Sequence, residues 1–327
     1  METMRAARLL DVGKIVCEEA PVKPPGDNEL LVRTELASIC GSDLHAIFLP
    51  FAVGGYPARP GYPGHEGVGE VIESNHPHFA AGDRVLTVPH AWLGACFADY
   101  QTLPGDSCIT LPASDVPIGH MLMAQQLGTV IFALRHRPVD VTGARVVVLG
   151  QGSAGLFFTW LLRHAGAATV VTSDLSDARL DCSRAMGADI AVKAEGDAVR
   201  RAVMDATGGH GAELVVDAVG SSATLRATAD LAAYDGTLLW FGLPDDADGE
   251  PVDFVQFFRK RLTAWSTYGA QAEPDLVSFR RALDLIVRGE IDVSPLLSHV
   301  LPIDRVDEAC LLAHDRGDGA LKVSLSF

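Results

Sequence analysis

The chain has 327 residues, 48% of them apolar and 21% charged, a composition that supports folded cores of ordinary size and excludes global disorder. Acidic residues outnumber Lys and Arg by 42 to 26, for a net charge of −16, and the basic run Arg259-Lys260-Arg261 is flanked by apolar residues. Nucleic acid and anionic membrane are therefore poor partners, although a glycine loop or a helix N-terminus can still hold an anion locally.

The first ten residues, Met-Glu-Thr-Met-Arg-Ala-Ala-Arg-Leu-Leu, lack the apolar core and cleavage site of a secretory signal. Short strands are predicted at Glu29–Leu36, Gly67–Glu73 and Arg84–Val88, broken by turn signals such as Pro24-Pro25-Gly26-Asp27 and Ala81-Gly82-Asp83. That pattern predicts a β-rich, barrel-like domain. After about residue 120 the rhythm changes. Arg145–Leu149, Thr169–Thr172, Leu214–Asp217 and Thr237–Phe241 read as buried strands, with helices at Leu156–His164 and Asp177–Met186. Apolar strands without alternation, separated by helices, predict an α/β fold with a doubly wound parallel sheet. The tail holds an amphipathic helix near Leu276–Arg288 and a closing strand at Leu321–Phe327. The uncharged stretch from Val146 to Leu162 is interrupted by Gln151-Gly152-Ser153-Ala154-Gly155, which fits a strand and a helix rather than a membrane span. Cys17, Cys40, Cys96, Cys108, Cys182 and Cys310 show no CxxC pairing, which suits reduced thiols and a cytoplasmic location.

Gly150-Gln151-Gly152-Ser153-Ala154-Gly155 is a GxGxxG motif between a predicted strand and a predicted helix. Its glycines permit a tight turn, close approach of backbone to a pyrophosphate, and close helix–strand contact. Asp174 ends the next strand, nineteen residues after the last glycine, where a carboxylate accepts hydrogen bonds from the adenosine ribose. The same carboxylate repels a 2′-phosphate, so NAD is expected over NADP.

Two segments upstream carry metal-ligand chemistry. They are Ile39-Cys40-Gly41-Ser42-Asp43-Leu44-His45 and Gly64-His65-Glu66-Gly67-Val68-Gly69-Glu70. A thiolate and an imidazole on separate loops, each backed by carboxylates, suit Zn²⁺, with Asp43 or Glu66 available to orient His65. Taken singly, Cys40 also suits a buried apolar thiol, and His65 a loop histidine satisfied by backbone.

Together these residues resemble the zinc-dependent branch of the medium-chain dehydrogenase/reductases. Gly64-His65-Glu66-Gly67-Val68-Gly69-Glu70-Val71 is similar to the family's GHE-x-x-G-x-V signature. The Cys-Gly-Ser-Asp-x-His stretch looks like that of the sorbitol, polyol and sugar dehydrogenases. Gly82-Asp83-Arg84-Val85, the glycine loop and Asp217-Ala218-Val219-Gly220 follow in the family's order, so the resemblance spans essentially the whole chain.

The resemblance implies a GroES-like catalytic domain of residues 1–125 and 268–327 and a Rossmann coenzyme domain of residues 126–267. It implies that Cys40 and His65 ligate one catalytic zinc, and that Ser42 takes the alcohol proton and passes it by way of the nicotinamide ribose to His45. It further implies that Asp174 and Arg179 hold the adenosine ribose, that Gly150, Gly152, Ser153, Ala154, Gly155, Val219 and Gly242 line the nucleotide site, and that Lys322 lies near the pyrophosphate. Two departures stand out. The stretch Val88–Phe97 holds a single cysteine where the family carries four, so no structural zinc is expected. Gln125 occupies the position of the third zinc ligand, so Glu66 can enter the coordination shell. The expected activity is hydride transfer between NAD and a secondary alcohol (a polyol, sugar or cyclitol hydroxyl) or its ketone, in a homodimer or homotetramer. A zinc-free reductase acting on quinones or enones and a non-catalytic nucleotide-binding relative are the alternatives. Retention of Cys40, Ser42 and His65 together speaks against both.

Overall fold

A computed structural model describes residues 2–50, 55–136, 139–244 and 252–327. The chain divides into two compact units, Met1–Thr129 with Gln271–Phe327, and Val130–Ala270.

The first unit opens with a hairpin of β1 (Thr3–Asp11) and β2 (Lys14–Pro21), followed by β3 (Glu29–Ser38), β4 (Glu66–Ser74), β5 (Arg84–Thr87), β6 (Tyr100–Pro104) and β7 (Cys108–Thr110). The long strand β3 organises this unit. It pairs antiparallel with β4 along most of its length, and its first half also pairs with β6. From β4 the sheet continues through β5 to β7. Leu30, Val32, Val71, Val85 and Leu103 converge in one interior cluster. Each such side chain contributes roughly 1.5–3 kcal/mol on burial. A slip of one residue between β3 and β4 would turn this set outward, so the core holds the register.

The second unit carries β8 (Arg145–Leu149), β9 (Thr169–Asp174), β10 (Ile190–Lys193), β11 (Ala212–Asp217), β12 (Ala232–Trp240) and β13 (Thr263–Ser266) in the spatial order β10-β9-β8-β11-β12-β13. Each neighbouring pair is parallel. Helices Ser153–His164, Asp177–Ala185, Ala198–Ala206 and Ser222–Leu231 fall between successive strands. The order reverses between β8 and β11, and such a reversal opens a crevice at the carboxyl ends of the two strands. The helix expected from Leu156 begins one turn earlier, at Ser153, because Gly152 already serves as its N-cap. The uncharged run from Val146 resolves into β8, the glycine loop and this helix. Among the described residues no helix is long and apolar enough to cross a membrane.

The chain returns to the first unit with helix Val277–Val287, then β14 (Leu297–Pro302) and β15 (Lys322–Ser326). Strand β15 pairs antiparallel with the second half of β3, with Ser324 opposite Ser38, and parallel with β14.

Candidate functional site

Sheet register assembles the first cluster. Ser38, the last residue of β3, pairs with Glu66, the first of β4. Cys40 lies two residues beyond that pair on one chain and His65 one residue before it on the other. Antiparallel pairing therefore brings the two motifs together. Strand β15 runs beside β3 in a register that carries Lys322 toward the level of Cys40. One donor atom from each of Cys40, His65 and Glu66 lies within 4.8 Å of the other two, a spacing that a single metal ion can bridge.

Each donor is held by a neighbour. Helix Gly41–Phe48 starts from Cys40, whose backbone N–H donates to Asp43 Oδ2 at 2.9 Å. The other oxygen of Asp43 accepts from His65 Nδ1 at 2.8 Å. Of the two carboxylates available to orient His65, Asp43 is thus the one engaged. This bond keeps the proton on Nδ1 and leaves Nε2 as the coordinating nitrogen, the arrangement of a carboxylate–histidine–metal triad. Burial opposes charge on His65, but Asp43 and Cys40 outweigh it and raise the imidazole well above its usual range. Ser42 Oγ stands 3.4 Å from Cys40 Sγ and 3.3 Å from His65 Nε2. His45 is one turn further along the same helix, on the same side as Ser42. Its Nδ1 donates to the Gly41 carbonyl at 2.9 Å, which leaves Nε2 as an acceptor.

Glu66, expected either to orient His65 or to enter the coordination shell, has partners that its motif does not reveal. It is buried, accepts from Ser38 Oγ, and forms an ion pair with Lys322 Nζ at 2.6 Å. Burial alone would raise its pKa. Lys322 dominates, and the carboxyl lies below the ordinary range. Lys322, expected at the pyrophosphate, is found with its ammonium enclosed between Glu66 and the side-chain oxygen of Gln126, the latter at 3.0 Å. Gln125 is buried beside the cluster, where its side-chain amide donates to the His65 carbonyl at 3.3 Å. Sequence reasoning missed Ser38 and Gln126 because neither belongs to a motif and both act through pairings distant in the chain. The donor set fits zinc: a thiol, an imidazole and a carboxylate supply the S, N and O ligands that this ion prefers.

The second cluster follows β8. Gly150 has φ of +84°, and a Cβ there would lie 2.4 Å from Val219 Cγ2. At Gly155 a Cβ would fall 1.9 Å from the Gly150 carbonyl oxygen, so only glycine lets the helix pack this closely on the strand. Gly152 differs. Among the described residues only Arg179 Nη1, at 3.8 Å, lies within 4 Å of a Cβ built there, at the N-terminus of the helix begun by Ser153 and Ala154. The helix dipole there suits a pyrophosphate. Asp174, at the end of β9, accepts from Gln151 N at 2.7 Å and from Ser176 N at 2.9 Å. A carboxylate has about four acceptor positions, so two remain for ribose hydroxyls. Asp217, at the end of β11, receives the N–H groups of Val219 and Gly220, while Gly242 packs against that backbone. All of the expected nucleotide-site residues except Lys322 thus belong to this unit.

Two domain families match the chain. Residues 26–124 match the alcohol dehydrogenase GroES-like domain, and residues 154–288 match the zinc-binding dehydrogenase domain. An alcohol dehydrogenase of Cupriavidus necator is 26% identical, covering 98% of both chains. An L-threonine 3-dehydrogenase of Saccharopolyspora erythraea is 26% identical over 89% of this chain and 90% of its own. The crystal structure of Escherichia coli L-idonate 5-dehydrogenase superposes with a TM-score of 0.83 at 22% identity, covering 100% of this chain and 99% of the other.

Proposed function

Because the chain belongs to the zinc-dependent medium-chain dehydrogenase/reductase family and is an oxidoreductase, we propose that it transfers a hydride between a secondary alcohol and NAD at a zinc held by Cys40, His65 and Glu66. The observation that carries this reading is the convergence of those three donors, with Ser42 Oγ against both Cys40 and His65. The bound groups would supply Lewis-acid polarisation of the alcohol oxygen, by zinc, and a hydride acceptor, the nicotinamide.

The chain's own residues do the rest. Cys40 and His65 bind as thiolate and neutral imidazole, with Asp43 orienting the ring. Glu66 would complete the set, with its carboxylate already held by Ser38 and Lys322. Ser42 accepts the hydroxyl proton and passes it toward His45, whose ring is oriented by the bond from Nδ1 to the Gly41 carbonyl. Asp174 and Arg179 hold the adenosine ribose, and the Asp174 charge disfavours the 2′-phosphate of NADP. The substrate class is a polyol, sugar or cyclitol hydroxyl, a reading supported by relatives named for hydroxylated substrates, threonine and idonate.

A screen of polyols, sugars, cyclitols and amino alcohols on zinc-verified protein, read as NAD reduction, tests this. Turnover of at least one secondary alcohol that is lost with the zinc supports the reading. Full activity in metal-free protein would reject it in favour of a zinc-free reductase.

A further inference from the structure

His65 is held on a second side, away from Asp43, by the segment that leads from β5 to β6. There the chain makes a 3₁₀ turn at Ala91–Leu93 and then runs against the loop that carries His65. Cys96 N donates to the Gly64 carbonyl at 3.0 Å, and Phe97 N to the Gly61 carbonyl at 3.2 Å. The contact is tightest at Gly94, where a Cβ would fall 2.5 Å from the Gly64 carbonyl oxygen and 2.6 Å from His65 Cβ. Any movement of Gly94 is therefore felt directly at His65.

Arg59 closes this arrangement. Its Nη1 donates to the Trp92 carbonyl at 2.7 Å and its Nη2 to the Gly94 carbonyl at 2.6 Å. The guanidinium also stands 5.3 Å from the Tyr62 ring centroid, which limits its swing. A planar fork spanning two carbonyls two residues apart fixes direction as well as distance, which a single ammonium cannot do. The two bonds tie the start of the His65 loop to the residue that packs on His65 itself.

Resting on the metal assignment above, we infer that Arg59 is a positioning residue for the metal centre: by pinning Gly94 against Gly64 and His65, it sets where His65 presents Nε2 to Cys40 and Glu66. Arg59 touches none of the reacting groups. Its effect reaches the metal through the main chain of Gly94, which packs against the Gly64 carbonyl and His65 Cβ. Groups bonded directly to a ligand typically change metal affinity by about 10–100-fold, and Arg59, one step further out, is expected at the lower end of that range or below it.

The test is zinc affinity, by competition with a chromophoric chelator, together with the absorption spectrum of cobalt-substituted protein. It compares the unaltered chain with Arg59→Ala, Arg59→Lys and Gly94→Ala, each scored also for melting temperature. Arg59→Ala is expected to weaken zinc binding by up to about 10-fold and to shift the cobalt bands. Arg59→Lys, which keeps the charge but loses the fork, should fall on the same side. Gly94→Ala should reproduce the loss with Arg59 intact. If Arg59→Ala does not fold, Arg59→Lys decides. Variants that melt lower yet bind zinc as tightly as the unaltered chain, with unchanged cobalt spectra, would show Arg59 to be structural only and overturn the inference while leaving the metal assignment standing. An unaltered chain that binds no zinc overturns both.

Discussion

Replacing Lys322 by methionine removes one charge of a buried pair and leaves the other in place. Lys322 and Glu66 side chains are 1% and 2% exposed, with nitrogen and oxygen 2.6 Å apart, so water cannot substitute for the lost ammonium. Losing one partner of such a pair typically costs about 3–5 kcal/mol. Ser38 still donates to Glu66, which places the expectation at the lower end of that range. The cost must also depend on pH. In the native chain Lys322 holds Glu66 below the ordinary carboxylate range, so its contribution is complete above that range and is lost only as pH falls. In the variant, burial governs and the folded carboxyl moves above its unfolded value of about 4.3. The variant then loses stability as pH rises, by about 1.4 kcal/mol per pH unit, until the folded carboxyl ionises. Urea unfolding of chelator-treated protein should therefore show a deficit that is small near pH 5 and about 3 kcal/mol near pH 8. Zinc should narrow it by replacing the missing positive charge. His65 and Asp43 titrate in both proteins and largely cancel in the difference. A deficit below about 1 kcal/mol at pH 8, or one that does not change with pH, refutes the reasoning.

Three further outcomes follow from the same geometry. Ser42→Ala should lower turnover by about 10²–10⁴-fold while NAD binding, measured by fluorescence titration, stays unchanged; near-normal turnover on a hydride-limited substrate would assign the proton to another group. Asp174→Gly should bring kcat/KM with NAD and NADP toward equality, because it removes charge-assisted ribose bonds of about 1.5–3 kcal/mol each, and equal values already in the unaltered enzyme would sink the idea. Zinc affinity should rise with pH, since the Nε2 proton of the imidazolium favoured by Asp43 and the Cys40 thiol proton must leave when Nε2 and Sγ take the metal, while Nδ1 keeps its own; calorimetry in buffers of different ionisation enthalpy should show proton release, and a pH-independent affinity would contradict the assignment.

How far the amino-acid sequence determines this protein follows from how local each feature is. The parallel strands are legible because Val146–Leu149 and Val170-Val171 are apolar and buried on both faces. The glycine loop is legible because the packing of Gly155 on Gly150 arises within six residues. Asp174 is legible because one strand and one helix separate it from that loop. Cys40, Ser42 and His45 lie within one helical turn or two, and His65 with Glu66 forms a dipeptide. What the linear pattern could not decide is which carboxylate orients the imidazole and which completes the donor set. The register of β3 with β4 and β15 brings Asp43 onto His65 and Glu66 within reach of Cys40 and His65. It places Ser38 on Glu66 and brings Lys322 from the far end of the chain to the same carboxylate. Helix Ala124–His136 turns Gln125 onto the His65 main chain and Gln126 onto Lys322. Arg59 was invisible for a further reason. Its acceptors are main-chain carbonyls, which every residue carries, so only the tertiary path of the chain determines which ones it meets.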